Sequence, residues 1–185
     1  MPGKVAIIAN PMSGGDIRRL AARASAVTHE AKAAQVARIA TGLDAMGVDE
    51  IMVMQEPARI STGALQWMPL RARVRGLQTG PVTNSAADTE AAVRVARDEG
   101  CDVIVALGGD GTHRVIAKAW PQAVLIALST GTNNVFPVSV EATSAGVAAG
   151  LVACGAIAAS QVGARCKLVH VQADRWTDSG VIDAV

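Results

Sequence analysis

Three short stretches carry residue types suited to phosphate chemistry. They are Asn10-Pro11-Met12-Ser13-Gly14-Gly15, Gly108-Gly109-Asp110-Gly111-Thr112 and Ser129-Thr130-Gly131-Thr132-Asn133-Asn134. The middle stretch follows the apolar run "DVIVAL" and precedes a helical pattern. Glycines admit positive φ and leave no side chain in the way of a ligand. Amides at the start of the following helix can then face an anion, which the helix dipole also favours. That is a phosphate cradle, although neither GxxxxGK[ST] nor GxGxxG is present.

An acid inside a phosphate cradle repels its ligand and so needs a reason. Asp110 could hold Mg²⁺, which offsets the phosphate charge. It could instead orient and deprotonate a hydroxyl that attacks a γ-phosphate. Both roles belong to phosphoryl transfer. The plain alternative is a tight strand–helix turn with Asp110 as the helix cap.

The first stretch repeats the logic of strand, glycine turn and helix, with Asn10, Ser13 and Gly14 as its candidates. Ser13 would either cap a helix or bind phosphate. The third offers Thr130, Thr132, Asn133 and Asn134, uncharged donors and acceptors suited to a ribose or a base. Its alternative is a turn rich in Asn and Thr. His113 follows the glycine loop, where it could reach a phosphate; a lone histidine on a first helical turn is more often simply exposed.

The elements that must position these loops are legible as alternating strands and helices. "KVAIIA", "DVIVAL" and "AVLIAL" are apolar runs of strand length, as expected for strands buried on both faces. "EIMVMQ" and "RARVRGLQ" are further strands. Helices are expected over "DIRRLAARA", over residues 30–47 ending at Gly47, over residues 58–68, and over residues 85–100 with Ser85 or Asp88 as cap. Two more are expected over residues 112–120 and 141–159. This order predicts an α/β fold, an open parallel sheet with helices on both faces. All three loops then lie at the carboxyl edge of the sheet, where such folds bind ligands. Their convergence on one edge favours a nucleotide site.

After about residue 164 the pattern becomes strand followed by strand, over residues 166–174 and 180–185. The expected organisation is an α/β domain at 1–163 and the start of an incomplete β-rich second domain at 164–185. Exposed strands there would favour self-association into a homo-oligomer.

Composition narrows the function. The 185 residues are half hydrophobic with one Phe, three Trp and no Tyr, so the core is aliphatic. A net charge of +1 gives no support for nucleic acid or an anionic membrane as partner. The alternation Arg71, Arg73, Arg75 reads as the solvated face of an edge strand, with a phosphate clamp as the other reading. Trp67, Trp120 and Trp176 read as packing residues. Cys101, Cys154 and Cys166 lack metal-ligand spacing and read as buried thiols in a reducing cytoplasm. No apolar run is long enough to span a bilayer.

Taken together, "NPMSG" at 10–14, "LGGDGT" at 107–112 and "GTNNVFP" at 131–137 resemble the motifs of the NAD kinase/diacylglycerol kinase-like superfamily. The set resembles in particular the AcoX-type, ATP–NAD kinase-like proteins associated with acetoin catabolism. The resemblance implies an NAD kinase-like fold that takes ATP and Mg²⁺ and phosphorylates NAD or a related nucleotide. It implies phosphates over Gly108, Gly109, Gly111 and Thr112 with Ser13 and Gly14 nearby. It assigns Asp110 to the acceptor ribose hydroxyl and Asn133 to the substrate nucleotide. A lipid kinase of the same fold and a non-catalytic nucleotide-binding module are the other readings. The chain departs from the lipid branch in having Asn134 where that branch has Asp, and it lacks the Asn-Glu pair that NAD kinases use after the third loop.

Overall fold

The structure is a computed structural model that describes residues 3–15, 27–130 and 134–182. The helix expected over "DIRRLAARA" lies outside the described residues. Five strands form one parallel sheet: β1 (Lys4–Ala9), β2 (Glu50–Val53), β3 (Arg73–Gly76), β4 (Val103–Gly108) and β5 (Leu125–Ser129), in the order β3-β2-β1-β4-β5. The connections run outward from β1 to β2 and β3, then cross to β4 and β5. The order therefore reverses between β1 and β4, a topological switch point.

The apolar runs of β1 and β4 divide strictly between the two faces. Val5, Ile7 and Ala9 of β1, with Val103, Val105 and Leu107 of β4, point to a core covered by α1 (His29–Ala45), α2 (Ile60–Leu65) and α5 (Ala142–Ala153). Ala6, Ile8, Ile104 and Ala106 point to a second core under α3 (Ala86–Asp98) and α4 (Asp110–Ala119). Strands buried on both faces cannot alternate with polar residues, which is why they read as continuous hydrophobic runs.

Helix ends follow local chemistry. Thr28 accepts the Ala31 amide to cap α1, and Gly47 (φ 81°) follows its end. Ser85 and Asp88 form a capping box on α3, and Gly100 (φ 74°) stops it. Helix α5 ends at Ala153 rather than near residue 159, because Gly155 turns left-handed at φ 73°. Helix α2 is only six residues long, shorter than the stretch expected at 58–68. Helices α1 and α5 approach backbone to backbone: a Cβ on Gly146 would overlap the Ile39 carbonyl, and one on Gly42 the Thr143 carbonyl.

A short helix α6 (Ala159–Val162) leads to an antiparallel hairpin of β6 (Val169–Ala173) and β7 (Trp176–Gly180). The second strand thus precedes the segment expected at 180–185. "WTDSG" is largely polar, with two residues exposed, three half-buried and none fully buried, so no apolar pattern announces it. The turn is made by Asp174 (φ 50°) and Arg175. The hairpin docks on α4, where Asp178 accepts from Arg114 and from Lys118 Nζ (3.1 Å) and the Ser179 carbonyl accepts from Arg114 Nε (2.7 Å).

The Arg cluster lies on or beside the edge strand β3, as its period suggested, but it is not simply solvated. Glu50, 5% exposed, accepts from Arg73 and Arg75, Arg75 also pairs with Glu99, and Arg71 pairs with Asp44. With acids already bound, these guanidiniums do not form a phosphate clamp. Trp67 and Trp176 are exposed; Trp120 alone of the three tryptophans packs against a core. Among the cysteines, Cys101 is buried and its thiol is pushed up to about 12 by burial, whereas Cys166 is exposed. No helix among the described residues is long and apolar enough to cross a membrane.

Candidate nucleotide site

The loops after β1, β4 and β5 meet at the carboxyl edge of the sheet, across the switch point. Asn10 leaves β1 with its amide bonded to the Leu107 carbonyl (3.0 Å). Its side-chain Nδ2 donates to Thr112 Oγ1 (2.8 Å), tying the first loop to the first turn of α4. Its Oδ1 accepts the Met12 amide (2.9 Å), closing an Asx turn. Ser13 Oγ donates to the Asn10 carbonyl (2.9 Å) and lies 2.7 Å from Thr130 Oγ1. Gly14 stands at φ 78°, and a Cβ there would come within 2.6 Å of the Thr130 carbonyl. Glycine is required at that point on both counts.

In the middle loop none of the three glycines has positive φ, and Gly108 and Gly109 serve close approach rather than left-handed backbone. A Cβ on Gly108 would strike the Thr112 side chain, at 2.5 Å. Gly109 is the N-cap of α4 in extended conformation, and its Cβ would lie 3.0 Å from Asn134 Oδ1. Among the described residues, nothing lies within 4 Å of a Cβ on Gly111.

Asp110 is the first residue of α4 and does not cap it; the cap position belongs to Gly109, with no side-chain bond. Its carboxylate reaches across to the third loop, accepting the Val135 amide (3.2 and 3.1 Å) and the Phe136 amide (2.9 Å). Asn134 answers in the other direction. Its Oδ1 lies 3.4 Å from the Asp110 amide, and its Nδ2 donates to Ser129 Oγ (2.9 Å). Thr132 and Asn133 lie outside the described residues.

His113 is fully buried rather than exposed. Its Nδ1 donates to the Gly109 carbonyl (2.7 Å), its Nε2 sits 3.4 Å from the Ala106 carbonyl, and its ring meets Phe136 at 5.9 Å. Burial pushes its pKa down, against the opposing pull of those two carbonyls. It braces the loop from behind and cannot touch a ligand in front of it. The signal was present in the sequence: His113 is three residues before Ile116, on the buried stripe of α4.

A cavity of about 140 Å³ opens beside these loops, between the first turns of α3 and α4. Asn10, Pro11 and Met12 line it on the β1 side, Gly111 and Thr112 on the α4 side, and Asn84, Ser85 and Asp88 on the α3 side. Of the residues singled out from sequence, Asn10, Gly111 and Thr112 reach this cavity. Ser13, Gly14, Gly108, Gly109, Asp110 and Asn134 build and join the loops around it without lining it. Sequence reasoning missed Asn84, although "TNS" between strand and helix is the same kind of polar turn as the other loops.

The electrostatics favour an anion there. Two helix N-termini face the space, where the helix dipole favours an anion, although Ser85 Oγ already holds the Ala87 amide on α3 (3.2 Å) and the Gly109 carbonyl the Thr112 amide on α4 (3.0 Å). Burial pushes the Asp88 carboxyl up, but bonds from Thr83 and Ser85 outweigh it and hold the group below the usual carboxylate range. Those bonds, from the Thr83 amide (2.8 Å) and hydroxyl (2.7 Å), turn its charge toward the α3 cap. Among the described residues, no group of three or more His, Cys, Asp or Glu side chains stands together as a metal site. A cation bridging phosphates needs only one or two carboxylates, with the phosphates supplying the remainder.

Comparison with known proteins agrees with this architecture. The model of the ATP-NAD kinase N-terminal domain matches residues 5–157. Acetoin catabolism protein X of Cupriavidus necator is 35% identical over 176 residues, covering 90% of this chain and 48% of that protein. The chain thus spans about half the length of that curated relative. No solved structure matches the chain.

Proposed function

The chain belongs to the ATP-NAD kinase family, and on that premise we propose that it binds ATP at the cavity between α3 and α4 and transfers the γ-phosphoryl group to NAD or a related nucleotide. The observation that carries the reading is the convergence of two helix N-termini, with Gly111 bare between them, on a space lined by Asn10 and Thr112. Phosphates would lie against the first turn of α4, with Asn10 and Thr112 as hydrogen-bonding neighbours. Mg²⁺, when bound, would offset phosphate charge beside Asp110.

Asp110 orients the acceptor. The Val135 and Phe136 amides fix its carboxylate in place; Oδ1 accepts from both amides and Oδ2 only from Val135, so Oδ2 keeps a lone pair for a hydroxyl proton. As the acceptor oxygen bonds to the γ-phosphorus, its proton passes to Asp110 and ADP departs with the bridging oxygen.

A second reading has a specific observation in its favour. The same bonds make Asp110 a latch between two loops, which a non-catalytic nucleotide-binding module would also need. Asp110→Asn separates the two, because the amide oxygen can still accept from the third loop. Turnover of Mg·ATP with NAD should fall by about 10²-fold or more while the Kd for ATP changes little. Unchanged turnover would remove Asp110 from the chemistry. ATP binding with no product at any enzyme concentration would establish the second reading.

A further inference from the structure

Lys32 has no part in the chemistry above, yet it is among the largest fully buried side chains of the protein, at 0% exposure. It lies in the first turns of α1, on the stripe shared with Val36, Ile39 and Leu43. An ammonium is costly to bury unless its hydrogen bonds are met. Its Nζ donates to two successive carbonyls, those of Asn10 and Pro11, at 2.8 Å each. Pro11 already has its φ fixed by its ring, so anchoring the carbonyls on either side of that torsion leaves the turn little freedom.

The consequences spread from Asn10. Its carbonyl is shared by Lys32 and Ser13, and Ser13 reaches Thr130 on the third loop. Its side chain holds the Met12 amide and Thr112 Oγ1 at the cavity wall. A buried cation on a helix of one sheet face thereby fixes the path of a loop that lines a cavity on the other.

We propose that Lys32 is a positioning residue of the nucleotide site: it sets the turn at residues 10–13 and through it places Asn10 against α4. The inference rests on the nucleotide reading for its effect on binding, and its effect on the loop can be measured without any ligand.

The test compares Lys32→Met with Val36→Ala, a fully buried neighbour one turn along α1 whose side chain has no donor for either loop carbonyl. Mg·ATP affinity is measured by calorimetry, and backbone hydrogen exchange is followed by mass spectrometry. Lys32→Met should weaken ATP binding by about tenfold or more, since misplacement of one positioning group carries that scale of loss. Exchange should rise over residues 10–15, including the Met12 amide, well above any rise in β4. Val36→Ala should leave affinity nearly unchanged and show no such local rise. Equal losses of affinity in the two variants, or a uniform rise in exchange, would overturn the proposal in favour of a merely structural lysine.

Wild-type protein that binds no nucleotide would sink the reading of the cavity, while the exchange arm still decides whether Lys32 holds the loop. Should Lys32→Met fail to fold, Lys32→Gln keeps an uncharged NH₂ that can still donate and should give a smaller change of the same pattern. Failure of both to fold would overturn the positioning role.

Discussion

On one face of the sheet, α1 and α5 meet through Gly42 and Gly146; on the other, the first turns of α3 and α4 leave a cavity between them. Glycine appears at both places for opposite reasons. At Gly146 the space is already taken by the Ile39 carbonyl, so a side chain is excluded by the protein's own packing. At Gly111 no atom of the described residues lies within 4 Å of where a Cβ would be, so none of them forbids a side chain there. Close packing accounts for the first glycine, and the proposed nucleotide site would account for the second.

Substitutions can break that contrast. The largest effect is expected for Gly146→Leu, which drives a side chain into the backbone of α1. Overpacking of this kind costs about 1–3 kcal/mol and occasionally more, so the midpoint of denaturant unfolding should fall well below that of wild type. A mild effect would mean that the two helices can separate freely.

A smaller effect sharpens the other face, through His113. Burial lowers its pKa below the ordinary histidine value of 6.5. Below that value the unfolded chain therefore binds more protons than the folded one. Its contribution to stability is complete above about pH 6.5 and is lost as pH falls. The melting temperature should drop between pH 7.5 and 5.5, and drop less in His113→Gln. Identical pH profiles would remove His113 as the source.

The framework was legible in the sequence because burial writes plainly there. β1 and β4 had to be apolar throughout, and the caps Ser85, Gly47 and Gly100 stand where helices begin and end. The three loops converge as their positions after parallel strands required. What the sequence hid were interactions across loops. Nothing local says that the Asp110 carboxylate is taken up by the amides of Val135 and Phe136, twenty-five and twenty-six residues on. Lys32 and His113 were hidden differently. Each sits on a helical stripe of buried residues, but its polarity argued for the surface, and only the carbonyls that receive its protons reverse that argument. The exposed tryptophans erred the other way, since side-chain size suggested packing where the fold supplied no partner surface.

The central claim is that a nucleotide phosphate group occupies the space in front of Gly111. Calorimetric titration of Mg·ATP into wild type and Gly111→Val tests it most directly. A Cβ at Gly111 meets no atom of the described residues, so the melting temperature should stay close to that of wild type, while ATP affinity falls by about tenfold or more because the side chain fills the space the phosphates need. Equal affinity in a folded Gly111→Val protein, or no binding by the wild type, would contradict the account.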